Sequence, residues 1–244
     1  MNVLAIGNSF SQDATRYLYQ VARKAGVNLN VVNLYIGGCP LSKHYTNMLT
    51  DSKSYALEFN GMKTGFFVSI KDALVSREWD YITFQQVSSQ SINYDTYQPY
   101  LDELSAYVRK FAPKAKFVVH QTWAYEQDSH RLCEMLGYTE QADMFNDLKV
   151  AYDEAAKAIC ADFIIPSGYM FQKMISEGLT VHRDTLHVKY GLGRYALSLL
   201  WYTMLTGNEI EDIDFDDFDE EVSAEEIVII KKCVAEAAKE YKKA

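Results

Sequence analysis

Five short apolar runs recur along the chain: Val3–Ile6, Leu29–Tyr35, Tyr81–Phe84, Phe117–His120 and Phe163–Ile165. They are continuous rather than alternating and rich in Val, Ile and aromatic residues. That pattern predicts strands covered on both faces. Helical spacing fills the intervals. Ala14, Tyr17, Leu18, Val21, Ala22 and Ala25 repeat at i, i+3, i+4 steps, and Gly26 suits the stop. Further helices are predicted from about Tyr97 to Phe111, ending before Pro113, from Thr139 to Ile159, and from Tyr190 to Leu205, closed by Gly207-Asn208. Ser223 followed by Glu226 is a capping-box signature that opens a last helix. Strands alternating with helices predict a five-stranded parallel sheet in a three-layer α/β/α domain. No internal repeat and no Ser/Gly linker divides the chain, so residues 1–244 read as one domain. Two longer loops interrupt the alternation, about Gly37–Ser76 and Ala124–Tyr138. Ligands of open parallel sheets bind beyond the carboxyl ends of the strands, so the side chains in those turns carry the functional question.

Composition narrows the classes. Apolar residues make up 48% of the 244, enough for a sizeable core. No stretch approaches the roughly 20 apolar residues of a membrane span. The N-terminus shows no charged leader or apolar signal region. The expectation is a soluble, cytoplasmic chain without a membrane partner. A chain trimmed of a leader and restarted at Met would read the same way and be secreted or periplasmic. Cys39, Cys133, Cys160 and Cys233 are scattered, with no CxxC pair or zinc-finger spacing, and read as reduced thiols. The net charge of -9 is local, because Glu209–Glu221 holds nine acids and no Lys or Arg. The remainder is near neutral and offers no basic footprint for nucleic acid. The acidic run lacks the Gly and final Glu of a calcium loop. It reads as a solvated loop pinned by Ile213, Phe215 and Phe218.

The chemistry begins at the first strand end, where Gly7-Asn8-Ser9-Phe10-Ser11 separates strand from helix. A serine there stands at the sheet's carboxyl edge. Its own backbone N–H lies near a helix N-terminus, which favours a developing negative oxygen. The competing reading is a turn in which Ser9, Ser11 or Asp13 caps the helix. The stretch is not a GxSxG elbow, since position 11 is Ser. A serine nucleophile needs a base and an orienting carboxylate. Of His44, His120, His130, His182 and His187, only His187 has an acid at a suggestive spacing. Asp184 precedes it by three residues in "VHRDTLHVKYG". His182 sits one residue too near that acid. A metal reading through His182, Asp184 and His187 lacks a fourth ligand cluster, and no cofactor is expected. His44, after Pro40, reads as a surface or packing residue near the cleft.

The order of "AIGNSFS", "IGGCPLSKHY", "TFQQVS", "QTWAY" and "RDTLHVKYG" resembles the SGNH (GDSL-like) hydrolases, in one bacterial branch, over nearly the whole chain. The resemblance implies a flavodoxin-like sheet and a Ser-His-Asp triad, with Ser9 as nucleophile, His187 as base and Asp184 as its orienter. It implies an oxyanion hole formed by the N–H groups of Ser9 and Gly38, with Gly37 the second choice of glycine. Two positions depart from the family pattern. Asn8 stands where an Asp is usual. The usual Asn of a Gly-x-Asn-Asp block is absent, and the third donor falls to Gln85 or, second, Gln86, whose amides can make the same hydrogen bond.

The implied chemistry is acyl transfer to water by a serine esterase. Gln121, Trp123 and Tyr125 leave the fourth strand at its carboxyl end and could form an aromatic, amide-edged platform for a sugar, with His130 reaching back; core packing is the plain alternative. The favoured substrate is a small-molecule or oligosaccharide ester carrying a small acyl group, acetyl, on a carbohydrate. The alternative is a carbohydrate-binding protein of weak catalytic power on a degenerate hydrolase fold.

Overall fold

The computed structural model describes residues 1–242. Its strands are β1 (Asn2–Gly7), β2 (Asn30–Tyr35), β3 (Tyr55–Phe59), β4 (Met62–Val68), β5 (Tyr81–Phe84), β6 (Lys116–Gln121) and β7 (Phe163–Pro166). Its helices are α1 (Ser9–Thr15), α2 (Leu18–Lys24), α3 (Leu41–Leu49), α4 (Ile70–Leu74), α5 (Tyr100–Phe111), α6 (Gln141–Ala158), α7 (Ser167–Ser176), α8 (Leu192–Thr206) and α9 (Ala224–Tyr241). The sheet order is β4-β3-β2-β1-β5-β6-β7. The five predicted strands pair in parallel, in flavodoxin-like order.

The sheet has seven strands rather than five. A hairpin, β3–β4, extends the β2 edge antiparallel. It lies inside the stretch predicted as loop, because β4 is exposed along most of its length and shows no apolar alternation. Its turn, Asn60-Gly61, has both residues at positive φ (52° and 80°), the twist that favours Asn-Gly in two-residue hairpins.

Alternate residues of β1 feed two cores, the side-chain period of a strand covered on both faces. Val3 and Ala5 pack with α1, α2, α7, α8 and α9; Leu4 and Ile6 pack with α3, α4, α5 and α6. This is the expected three-layer arrangement. The predicted first helix is broken into α1 and α2 at Arg16-Tyr17. There the buried Tyr17 hydroxyl donates to Tyr190 O (2.7 Å) and accepts from Asp219 N (2.7 Å). The capping box at Ser223 and Glu226 opens α9. Among the described residues, no helix is long and apolar enough to cross a membrane.

Candidate active site

The turn between β1 and α1 is built around Asn8. Asn8, not Ser9, Ser11 or Asp13, caps α1: its Oδ1 accepts from Phe10 N at 3.0 Å. Capping by the preceding residue leaves the Ser9 hydroxyl free. The Ser9 N–H, first in the helix, has no intrahelical carbonyl to meet. Gly7 is required just before, since a Cβ there would collide with the Ser11 hydroxyl. Ser11 itself is tied to Asn8 O (2.9 Å) and Asn33 Oδ1 (2.7 Å).

Across the cleft, residues 181–189 form a tight loop. His182 and Val188 make a β-bridge, and Arg183 N donates to His187 O at 2.9 Å. Inside that loop Asp184 Oδ1 accepts from Leu186 N (2.8 Å) and His187 N (2.7 Å). Its Oδ2 lies 2.9 Å from His187 Nδ1, and His187 Nε2 lies 3.0 Å from Ser9 Oγ. Residues 178 positions apart thus meet in one hydrogen-bonded relay. With Nδ1–H facing the carboxylate, Nε2 is left as the acceptor for the serine hydroxyl. Partial burial raises the Asp184 carboxyl, but the two backbone N–H bonds and the imidazole outweigh it and hold the group down at about 2. Phe10 meets the His187 ring edge-on at 5.9 Å and stacks on Trp123 at 4.0 Å.

Gly38 lies in the exposed turn after β2 at φ +58°, a left-handed conformation suited to glycine. This turn is clamped from beneath. Asn8 Nδ2 donates to Cys39 O (3.2 Å), and Leu41 N donates to Gln86 Oε1 (2.9 Å).

The two glutamines correct the sequence expectation. Gln86 turns away from Ser9: both contacts of its Nε2 are on Thr96, at O (3.0 Å) and Oγ1 (3.2 Å). Gln85 is buried and donates to Asn8 Oδ1 at 2.8 Å. Its Oε1 pairs with His120 Nδ1 (2.9 Å), whose Nε2 pairs with Ser167 Oγ (3.0 Å). Burial pushes the His120 imidazole down to about 3 and keeps it neutral, so Nδ1–H donates to Gln85 and Nε2 accepts from Ser167. A single donor-to-acceptor chain therefore runs from Ser167 through His120, Gln85 and Asn8 to Cys39 O. Both glutamines hold loops that flank Ser9.

The platform is corrected too. Gln121, Trp123 and Tyr125 are 0, 1 and 2% exposed. Trp123 is drawn inward by its stack on Phe10 and its N–H bond to Leu186 O (2.8 Å). Tyr125 pairs with Ser88 (3.0 Å), and Gln121 bridges Tyr241 (3.1 Å) and Tyr169 N (3.1 Å). His130 faces outward on Glu134 (3.0 Å). His44 lies wholly inside, on Tyr55 Oη at 2.8 Å. His182 Nε2 faces Ala124 O (3.1 Å), so His182, Asp184 and His187 do not converge on one point.

One network escaped the sequence reading. Asp13, 1% exposed, binds Arg183 (3.0 Å) and Arg194 (2.8 Å). Asp219 binds Arg194 (2.7 Å) and Arg16 (2.6 Å). The acidic run is therefore more than a solvated loop: Asp219 and Glu220, which accepts from Tyr190 N (3.1 Å), dock against the Ser9 and His187 segments. The signal available in sequence was an Arg beside the Asp-x-x-His and a second Arg one helical turn into α8.

Comparison with known proteins bears on the fold. Residues 2–237 match the family described as "Domain of unknown function (DUF4886)". The chain belongs to the DUF4886 family. A solved DUF4886 protein from Bacteroides uniformis ATCC 8492 is 31% identical over 97% of this chain and 94% of its own, with a TM-score of 0.90. A Slackia heliotrinireducens protein, whose SGNH-hydrolase assignment is itself provisional, is 20% identical over 83% of this chain and 97% of its own, with a TM-score of 0.59. A member of the lipolytic G-D-S-L family from Veillonella parvula DSM 2008 is 12% identical over 84% and 97%, with a TM-score of 0.51. This DUF4886 chain therefore has the SGNH, GDSL-like fold. No curated protein sequence matches it.

Proposed function

We propose that this protein is a serine ester hydrolase that removes small acyl groups, acetyl foremost, from an alcohol such as a sugar. The observation that carries the reading is the Ser9–His187–Asp184 relay at 3.0 and 2.9 Å, standing at the carboxyl edge of an SGNH-type sheet. His187 Nε2 takes the Ser9 proton as Oγ attacks the ester carbonyl. The Ser9 and Gly38 N–H groups receive the oxyanion. His187 protonates the leaving alcohol and then activates water to release the acid. Asp184 stays ionised and fixes the imidazole tautomer throughout.

The carbohydrate acceptor loses its aromatic-platform argument, because Trp123 and Tyr125 are interior. It stands only as one class of small alcohol. The test is labelling with a fluorophosphonate, followed by mapping of the modified residue, together with hydrolysis of 4-nitrophenyl acetate. The expected outcome is one adduct, on Ser9, and loss of both labelling and turnover in folded Ser9→Ala. Equal turnover in that variant would overturn the assignment.

A further inference from the structure

The loop that leaves β6 brings a guanidinium to Thr185, the residue after Asp184. Arg131 is half-buried and opens a five-residue π-helical turn, Arg131–Met135. Its Nε donates to Thr185 Oγ1 at 3.0 Å. Thr185 follows Asp184 directly and precedes His187 by two residues. The same two loops are fastened again by Glu126 N on Thr185 O, at 3.0 Å.

The turn is anchored, so the guanidinium has a fixed origin. Leu132 is fully buried and its N–H meets Ser129 Oγ (3.2 Å), while Tyr138 N closes the loop on Leu132 O (3.1 Å). Tyr125 and Ser88, hydrogen-bonded to each other beyond the ends of β6 and β5, stand within the influence of this charge. Burial raises the Tyr125 phenol, and the Ser88 bond and the Arg131 charge both pull it back.

What the guanidinium lacks is an anion. Among the described residues no carboxylate lies within 4.0 Å of Arg131, and its two terminal nitrogens make no hydrogen bond. Asp184 is engaged on His187 and Glu134 on His130, and the carboxylate of Glu126 makes no ion pair with Arg131. Arg183 and Arg194, on the other side of the same loop, are both paired with Asp13. An anchored, partly desolvated arginine with a free fork is suited to a carboxylate.

We propose that Arg131 is a substrate-binding residue that selects esters carrying a carboxylate. This deepens the esterase reading and rests on it for the position of the reacting bond. Its Nε is tied to Thr185, the residue after Asp184, so an acid group taken by the two terminal nitrogens would be held on that flank while the ester carbonyl meets Ser9. The carboxylate can belong to the acyl part or to the alcohol part, as in an acetylated uronic acid.

Two matched pairs separate these sources. Mono-4-nitrophenyl adipate is compared with 4-nitrophenyl hexanoate, and an O-acetylated galacturonate with the corresponding O-acetylated galactoside. The quantity read is the ratio of kcat/KM, anionic over neutral, within a pair. One pair is expected to favour the anion by about tenfold or more, the worth of one charge-assisted hydrogen bond. That ratio should fall toward one in Arg131→Gln, recover in part in Arg131→Lys, and shrink as salt is raised. A parallel measurement does not need turnover: folded Ser9→Ala should bind the preferred anionic ester by calorimetry about tenfold more tightly than Ser9→Ala with Arg131→Gln. Ratios near one in both pairs, or a ratio unchanged in Arg131→Gln, overturn the Arg131 assignment while leaving the esterase standing. If no ester is cleaved, the esterase reading fails, and equal binding by the two Ser9→Ala variants overturns the Arg131 assignment separately.

Discussion

Asp184 accepts three hydrogen bonds, two of them from backbone, and is held at about 2. A carboxyl so placed remains ionised at pH 4, so Asp184 does not set the acid limb of the kcat/KM profile. Asp184→Asn keeps the shape but presents an amide that can turn its NH₂ toward Nδ1 and favour the wrong tautomer. A fall in kcat of about 10²- to 10⁴-fold is expected, with the acid limb kept, as measured by a pH–rate series. A loss below tenfold would remove Asp184 from the relay. Asn8 yields a sharper test, because this position separates the chain from the Asp usual in the family it resembles. Asn8→Asp retains the cap on Phe10 N but loses the donor to Cys39 O and meets Gln85 Nε2 with a charge. Leaving that carbonyl unsatisfied should cost about 1–3 kcal/mol of stability. The Gly38 turn loosens with it, so kcat should fall more than KM rises. Unchanged kinetics and unchanged urea midpoint would show that the Cys39 clamp is idle. The relay was legible in sequence because its informative part is local: three residues from Asp184 to His187, and a serine where a strand becomes a helix. The glutamines were not, because the direction of an amide is set by distant partners. Thr96 turns Gln86 away, and His120 with Asn8 holds Gln85.

At the scale of elements, the site depends on how α1 is fixed against the 181–189 loop. Asp13 lies on α1 one helical turn beyond Ser9, and its carboxylate takes Arg183 from the loop and Arg194 from α8. Removing the charge leaves the partly buried Arg183 without an anion and Arg194 with Asp219 alone, a change that costs about 3–5 kcal/mol. Asp13→Asn is therefore expected to lower the thermal midpoint strongly and, in the fraction that stays folded, to reduce kcat with little change in KM. A variant as stable and as fast as the parent would reduce the network to surface decoration. The strands of the parallel sheet were legible because burial on both faces leaves unbroken apolar runs. The β3–β4 hairpin was not, since an edge strand with Met62, Phe66 and Phe67 exposed carries no periodic mark. Asn60-Gly61 was the one local signal for it. Trp123 and Tyr125 were located correctly at the end of β6, but a strand end does not say which way an aromatic turns. The stack of Trp123 on Phe10 is a contact across 113 positions.

Across the whole molecule, two fully buried histidines couple folding to pH. His44 lies on α3 against Tyr55, and His120 lies at the end of β6 among Gln85, Ser167 and Trp201. Neither meets a carboxylate within salt-bridge distance among the described residues, and burial pushes both down to about 3. An unfolded chain returns each imidazole to about 6.5. Between those limits the unfolded state binds more protons, so stability is complete above about pH 6.5 and declines as pH falls toward 3. Each histidine should contribute a slope approaching 1.4 kcal/mol per pH unit below about pH 6, and the pair together should remove about 6 kcal/mol between pH 7 and 4. That is a large part of the 5–15 kcal/mol typical of a folded domain. Asp184, whose pKa is depressed, titrates outside this window and adds to the loss only as pH drops below about 4. Urea midpoints from pH 7.5 to 4 are expected to fall steadily, with an uptake of about two protons by these rings on unfolding, to which His182, also lowered by burial, adds. His44→Gln should flatten the line by the share of one proton, whatever it does to the stability at pH 7. A flat line in the parent would mean that both rings take up protons without unfolding, and would overturn the coupling.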